Sequence, residues 1–495
     1  MFVIGLDVGT SGVKSTLFDD ETNVLAHAYR EYNLIYEQDG MFELDPNLLL
    51  QKAVEVIQES VAGWDAKQVR AICVTSFGES FVCMDAGGNV LSNTMIYMDK
   101  RGTLECEEFL SVCSQEEIYN ISGQFVDPMF AVCKLRWIQK NNPALLERTK
   151  KISFITDFIT HRLGAEHCCD YSLAARSGMF NLEQKTWWHA ALNFAGVNSE
   201  MLPKPVPGGS VVGTLSKAAA QNLGMNDDVK LIVGGHDQIL AAVGSGTSQP
   251  GDIANGMGTV DCMTVVLDAD TVRKETLLKY KLPMVPFLAD GKYVTYAFNM
   301  SGGCTVKWFR DVLALDMAQK PDAYKLLDRE AAQKPTGLFV IPYFAGGGTP
   351  YMDNDLPAVM AGMRLNTTRG ELYRAFLEGE SYEMRLSLEC LEEAGLQAQK
   401  ISTVGGGAKS PLWMQLRADI FDKEVHILKN NEAGTLASAM LCYTNIGLYS
   451  NVYEAQKACV QTTKQFIPQK NNTGEYNRYY AKYKAIYKAM KEVYP

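Results

Sequence analysis

Apolar and polar positions take up a pattern from the first residues. Phe2-Val3-Ile4-Gly5-Leu6-Asp7 is a short apolar run closed by an acid, and Val8-Gly9-Thr10-Ser11-Gly12 is a Gly/Ser/Thr turn. Val13 to Phe18 then alternates with period two, which predicts a strand–turn–strand hairpin. Asp19 to Asn23 makes the next turn, and Val24-Leu25-Ala26 opens a third strand. Asp45-Pro46 signals a helix start with proline in the first turn. That helix is expected to run to about Ala62, with Leu49, Ala53, Val56 and Ile57 as its apolar positions. Val69 to Thr75 reads as a further strand. A hairpin meander followed by helix–strand alternation predicts an α/β fold.

The second half begins in a similar way. Asp252-Ile253-Ala254-Asn255 leads into Gly256-Met257-Gly258-Thr259 and then Val260 to Val266. Strand, Gly-Thr turn and strand recur, which points to an approximate internal duplication. Gly244 to Gly251 is rich in Gly, Ser and Thr and separates the halves. The expected domains are therefore 1–245 and 246–495. Thr368 to Ala394 predicts a long helix with Leu372, Phe376, Met384, Leu388 and Leu391 in the core. Glu475 to Tyr494, rich in lysine and tyrosine, predicts a surface helix that packs back on the body.

Composition narrows the class. The chain has 495 residues, 47% hydrophobic and 21% charged, enough for sizeable cores and against global disorder. A net charge of −10 argues against a nucleic-acid coat or a binder of anionic membranes. The most apolar stretch, Leu231 to Gly246, contains His236 and Asp237 and is too short to span a bilayer. The N-terminus lacks a basic region and is interrupted by Asp7, so no signal peptide is expected. The twelve cysteines form no C-x-x-C pair and no zinc spacing. Reduced thiols in a cytoplasmic protein, mostly serving as packing, are the expectation.

Four segments carry candidate chemistry. In Asp7-Val8-Gly9-Thr10-Ser11, glycine lets backbone N–H groups approach a phosphate and the hydroxyls add donors. Asp7, at the strand end, suits a hydrated Mg²⁺, and Lys14 suits a phosphate as a point charge. Gly256-Met257-Gly258-Thr259 is the equivalent turn of the second half, and two such hairpins facing across a cleft would grip the β- and γ-phosphates of a nucleotide. Gly405-Gly406-Gly407-Ala408-Lys409-Ser410, between the Ile401–Val404 strand pattern and a helix pattern over 412–421, suits a ribose or α-phosphate; close strand–helix packing is the structural alternative. In Gly234-Gly235-His236-Asp237-Gln238 an acid opens a small-residue helix after a strand, where it either caps the helix or accepts a proton from a substrate hydroxyl. His236 reads as a packing or hydrogen-bonding residue. No P-loop or dinucleotide fingerprint occurs, which disfavours a P-loop enzyme and a dehydrogenase.

Together with these segments, Tyr97-Met98-Asp99-Lys100-Arg101, Asp127-Pro128, Lys134-Leu135-Arg136-Trp137, Asp170-Tyr171-Ser172, Ala175-Arg176, Ser301-Gly302-Gly303, Lys307 to Asp311 and Thr349-Pro350-Tyr351 lie in an order and spacing that resemble the FGGY carbohydrate kinases, of the actin/hexokinase/Hsp70 ATPase superfamily. The resemblance is nearly end to end and closest to the xylulokinase-like branch. Ala131 and Phe376 depart from the family's two longer patterns.

The resemblance implies two RNase H-like, actin-like ATPase domains with a cleft between them, and ATP- and Mg²⁺-dependent phosphorylation of a sugar or polyol hydroxyl. It places Asp237 at the catalytic-base position, Asp7 at the Mg²⁺-linked position, and Thr10, Ser11, Gly258 and Thr259 at the phosphates. Gly303, Lys307, Gly406, Gly407 and Ser410 fall on the nucleotide side; Glu79, Asp99 and Gln238 are candidate sugar contacts beside Asp237. Kinases of glycerol carry an Arg-Glu pair in the loop after the Val69–Thr75 strand. Here that loop is Thr75-Ser76-Phe77-Gly78-Glu79-Ser80, and Met129 replaces a polyol-contacting tyrosine, so glycerol is disfavoured. The Met-His of xylulokinases is also missing from the loop. A ketopentose such as xylulose leads, with ribulose, a fuculose-like deoxyketose, fructose-like hexoses, gluconate and a signalling furanone behind it. The rivals of other classes are a sugar-independent actin-like ATPase and a non-catalytic sugar sensor. A small-molecule sugar partner and a possible homodimer are expected, without nucleic acid or membrane.

Overall fold

A computed structural model describes all residues except 37, 39, 289, 290, 354, 431 and 495. The chain divides into two compact units. The first comprises 1–244, 283–294 and 432–459; the second comprises 245–282, 295–431 and 460–495. The expected partition assigned each half whole, whereas the contacts return two late segments to the first unit.

The first unit is built on a six-stranded sheet in the order Val211–Thr214, Lys230–His236, Val69–Ser76, Phe2–Val8, Gly12–Asp19, Val24–Glu31. Phe2–Val8 pairs antiparallel with Gly12–Asp19 and parallel with Val69–Ser76, which is itself parallel to Lys230–His236. The predicted meander and crossovers are therefore present. Both faces of the central strands are buried: Ile4, Leu6, Val8, Ile72, Val74, Leu231 and Val233 lie in the core with Val56 and Ile57 of the Pro46–Val61 helix, and Val3, Cys73 and Ile232 are buried on the opposite face. Asp45 caps that helix by accepting the Asn47 N–H, and Pro46 takes the first turn where no hydrogen bond is lost.

One helix of this unit comes from far along the sequence. Ala433–Asn445 lies against the Phe2–Val8 strand and the Asp237–Gly244 helix. The approach needs glycine: a Cβ on Gly5 would strike the Thr435 carbonyl, and one on Gly244 the Ala433 carbonyl.

The second unit repeats the plan. Its sheet runs from the 295–299 end of the Lys292–Asn299 strand through Asp261–Asp268, Asp252–Met257, Lys400–Gly405 and Val425–Leu428 to Thr462–Phe466. Asp252–Met257 is antiparallel to its hairpin partner Asp261–Asp268 and parallel to Lys400–Gly405. In both units the first strand stands between its antiparallel hairpin partner and a later parallel strand, with a further parallel strand beyond that one, so the duplication read from two Gly-Thr hairpins extends to the centre of the sheet. The long helix spans Arg369–Glu393, capped by Thr368 and Glu371 in a reciprocal box. Phe376, Met384, Leu388 and Leu391 are buried as expected, while Leu372 is only half-buried. The last helix, Lys470–Val493, buries Tyr476, Tyr480 and Tyr483. Among the described residues no helix is long and apolar enough to cross a membrane.

Candidate active site

Parallel pairing brings three strand ends of the first unit to one edge. Asp7 and Val8 stand in register with Thr75 and Ser76, which stand in register with Gly235 and His236. Open parallel sheets place ligands outside the carboxyl ends of their strands. Asp7, the Phe77–Ser80 loop and Asp237 therefore share the edge where chemistry is expected. Thr75 Oγ1 donates to the Gly235 carbonyl at 2.7 Å and fixes this edge.

Asp237 is the first residue of the Asp237–Gly244 helix. The backbone N–H of Gln238 donates to its carboxylate. Burial, then the charges of Asp7 and Glu79, push Asp237 up to about 8, against the pull of Gln238 and Lys14. Its side chain is still 28% exposed, so an acceptor can reach it. His236 Nε2 lies 3.3 Å from Asp237 Oδ1, and Ser172 Oγ accepts the His236 N–H. Burial and then the charge of Arg176 hold the imidazole well below its ordinary pKa, hence neutral.

Asp7 Oδ2 lies 3.3 Å from Lys14 Nζ, which also binds Glu432 Oε2 at 2.9 Å. Burial raises the Asp7 pKa and outweighs Lys14. Burial would lower Lys14, but Asp7 and Glu432 raise it above its ordinary value. Lys14 thus faces two carboxylates, one of them on a segment that no pattern near the N-terminus announces. Thr10 and Ser11 lie in the adjacent turn, and Thr10 shares a hydrogen bond with the half-exposed Tyr97.

Glu79 sits at φ +65°, a left-handed backbone uncommon outside glycine and often found at functional sites. Its buried carboxylate is held by Arg176 through Nε and a second guanidinium nitrogen. Arg176 also donates to Gln124 Oε1 at 3.3 Å, approaches Met129 Sδ at 3.5 Å and lies over the Phe130 ring at 5.0 Å. An Arg-Glu pair is therefore present, its arginine supplied by the end of the Tyr171–Ala175 helix and not by the loop.

Asp99 does not join this group. Its oxygens accept from the Phe42 N–H, the Arg101 N–H and the Arg101 guanidinium, and its side chain is fully enclosed. It braces the 97–101 segment, with Arg101 also bound to Glu43 at 2.6 Å, and has no surface left for a sugar.

The glycine turns of the second unit gather at the end of the Asp252–Met257 strand. Gly303 N–H donates to the Gly258 carbonyl at 2.8 Å, and Cys304 N–H to Thr259 at 3.4 Å. Gly405, at φ +100°, leaves no room for a Cβ beside the Met257 carbonyl, and Gly407 lies against the Met257 side chain. Gly406 opens the 407–409 turn. Behind this edge Arg417, fully buried, binds both Asn255 and Asp261, one from each strand of the hairpin. Lys307 sits one turn into the Gly303–Leu313 helix, exposed and paired with Asp311 at 3.0 Å. Ser410 caps Pro411–Phe421 by accepting the Trp413 N–H at 3.1 Å, so its hydroxyl is already engaged.

The donor set fits a hydrated Mg²⁺ and not an all-protein cage. Among the described residues no group of three or more His, Cys, Asp or Glu could hold a metal. Asp7, whose charge also acts on Asp237, suits an ion that keeps water and phosphate as most of its ligands.

Known proteins resemble the chain over nearly its whole length. The model of the FGGY family of carbohydrate kinases, N-terminal domain, matches residues 2–244, and that of its C-terminal domain matches 253–446. The chain is 27% identical over 500 residues to the xylulose kinase of Bacillus subtilis (strain 168), covering 99% of this chain and 98% of the relative. It is 28% identical over 503 residues to the glycerol kinase of Saccharolobus islandicus (strain M.14.25 / Kamchatka #1), covering 99% and 95%. The crystal structure of the ligand-bound xylulose kinase from Lactobacillus acidophilus superposes with a TM-score of 0.92 at 24% identity, covering 100% of this chain and 99% of that one, which shows a shared actin-like ATPase fold. With both family domains matched over most of its length, the chain belongs to the FGGY family of carbohydrate kinases, ATP-dependent phosphotransferases acting on a sugar hydroxyl.

Proposed function

We propose that the acceptor is a small ketose, with xylulose as the first choice, and that Asp237 is the base that takes the proton from its reacting hydroxyl. The observation that carries this reading is the junction at 236–237. A carboxylate at a strand end, 28% exposed, stands beside a neutral imidazole and shares its edge with Asp7 and the Glu79 loop.

Phosphoryl transfer asks for positioning and charge stabilisation more than for covalent help. Glu79, held by Arg176, and Gln238 are the groups we assign to the sugar hydroxyls. Asp237 in its ionised form, which the Gln238 N–H and Lys14 favour, then accepts the hydroxyl proton as the new O–P bond forms, a role typically worth ~10²–10⁴-fold. Thr10 and Ser11 in the first unit, and Gly258, Thr259, Gly303, Gly406 and Gly407 in the second, are the groups we assign to ATP. Asp7 would hold Mg²⁺ through its water shell, and the ion would neutralise phosphate charge. Lys307 and Ser410 already have side-chain partners and are assigned supporting roles only.

Xylulose is favoured over glycerol by Met129 beside Arg176, where kinases of glycerol carry a tyrosine; the xylulose kinase and glycerol kinase relatives, at 27% and 28% identity, do not separate the two. The Glu79–Arg176 pair does not discriminate, since an Arg-Glu pair is kept by another route. The test is ADP formation across a panel of ketopentoses, ribulose, gluconate, hexoses and glycerol, with the Asp237→Asn variant alongside. ATP binding is expected to persist in that variant while sugar-dependent turnover falls by at least 100-fold. Near-normal turnover would remove Asp237 from the role, and ADP release independent of any sugar would favour a bare ATPase.

A further inference from the structure

Two thiols of the first unit stand close together away from the reacting groups. Cys106, on the Thr103–Val112 helix, has its Sγ 3.2 Å from the Sγ of Cys133, on the Ala131–Asn141 helix. Cys133 is fully buried and Cys106 is partly exposed. The helices are clamped around the pair. Gly102, at φ +99°, rests on the Cys133 backbone. Lys140 reaches Glu105 at 3.0 Å and also binds Glu108, Arg136 reaches Glu108 at 3.3 Å, and Arg101 lies 5.3 Å from the Trp137 ring centroid. A disulfide bond is about 2.05 Å long, so the sulfurs need to close by only about an ångström between elements already held in place.

We propose that Cys106 and Cys133 are an oxidisable pair that a hydroperoxide converts to a reversible disulfide. The solvent-reachable Cys106 attacks a peroxide oxygen as its thiolate, the O–O bond breaks, and a sulfenic acid and one water result. Cys133 then attacks the Cys106 sulfur; the S–S bond forms, the S–O bond breaks, and a second water leaves with the Cys133 proton. Two thiols lose two electrons and one hydrogen peroxide becomes two waters. Cys73 and Cys442 also meet through their thiols, but both are fully buried and out of reach of the oxidant.

The bond would tie down the helix that follows Met129 and Phe130, both of which adjoin Arg176. The Cys133 helix follows directly on Met129 and Phe130, and Lys134 in its first turns donates to the carbonyls of Ile96 at 2.6 Å and Met129 at 2.9 Å. Tying this helix to Thr103–Val112 therefore acts on the sugar side, a consequence that rests on the proposed function.

The intact protein is titrated with hydrogen peroxide, its remaining thiols are counted, and its peptides are mapped without reduction. Two thiols are expected to disappear at low peroxide, with a Cys106–Cys133 cross-linked peptide that dithiothreitol releases. Cys106→Ser and Cys133→Ser should each abolish the cross-link, and Cys73→Ser should leave it. Oxidised enzyme should show a sugar KM changed at least twofold with the KM for ATP unchanged. Peptides alkylated singly at both cysteines, or a cross-link formed elsewhere first, would overturn the pair. A cross-link that leaves both KM values unmoved would overturn its coupling to the sugar side. The mapping does not depend on the substrate assignment, so failure of one is distinguishable from failure of the other.

Discussion

The Nε2 of His236 stands 3.3 Å from Oδ1 of Asp237, and the ring carries no charge because burial and Arg176 keep it from protonating. The contact is therefore a close polar approach of a neutral ring and not an ion pair. Loss of a neutral polar contact of this kind is worth about 1 kcal/mol. His236→Ala should lower kcat about five- to tenfold with little change in the KM for sugar. His236→Gln, which keeps an N–H, should recover part of the loss. Steady-state kinetics of the two variants decide it: equal losses would reduce His236 to packing against Gly78, where an added Cβ would stand 3.1 Å from the ring.

Glu79 and Arg176 form a buried pair, 4% and 7% exposed. Removing one partner of such a pair typically costs about 3–5 kcal/mol because the other charge is left unpaired. Arg176→Met should therefore lower the unfolding midpoint sharply and raise the sugar KM. Pairing it with Glu79→Gln should restore most of the stability without restoring sugar binding. Denaturation curves and KM values for the two single variants and the double variant provide the cycle. Additive stability losses would mean that the two side chains do not depend on each other.

Gly434, second in the Ala433–Asn445 helix, faces Asp7: a Cβ there would stand 3.2 Å from Oδ2. Alanine is the better helix former by about 1 kcal/mol, so Gly434→Ala should fold at least as stably as the parent. The added methyl crowds the carboxylate assigned to Mg²⁺. The expected outcome is an unchanged or higher melting temperature together with a several-fold rise in the Mg²⁺ needed for half-maximal turnover. An unaltered Mg²⁺ dependence would show that Asp7 has room to move or does not face the ion.

What is legible in the sequence is what a local pattern can write. Asp7, Thr10 and Asp237 stand out as candidates because strand ends and glycine turns announce themselves within a few residues, and both sheets follow from two such hairpins. Glu432 and Gly434 do not stand out. Glu432, through Lys14, and Gly434, directly, reach Asp7 because Gly5 lets a helix from more than 400 positions later lie on the first strand. Arg176 is visible as part of a motif, but its pairing with Glu79 spans 97 positions and leaves the loop looking as if it lacked its arginine. Asp99 misleads for the opposite reason: its partner Arg101 is two residues away, and an acid in a motif reads as a ligand until its oxygens are counted.

The Arg369–Glu393 helix shows a second kind of illegibility, because its apolar pattern hides three buried acids, Glu378, Glu380 and Glu383. Glu383 accepts from Tyr343 at 3.1 Å and from Tyr483, on the last helix, at 2.5 Å. Burial nevertheless wins over both hydroxyls and pushes its carboxyl up to about 7 from an ordinary 4.5. The folded protein thus holds this proton more tightly than the unfolded chain does. The resulting stability is fully present below about pH 4.5 and is lost as pH rises through about 7, an effect on the order of 3 kcal/mol. Glu383→Gln fixes the side chain in a neutral form and removes this slope, while the other buried acids contribute equally to both proteins. Urea denaturation at pH 5 and pH 8 should show the parent losing more stability across the interval than Glu383→Gln. If the two lose the same amount, Glu383 is charged in the folded state throughout, and the tyrosine hydroxyls, not burial, govern the docking of the last helix.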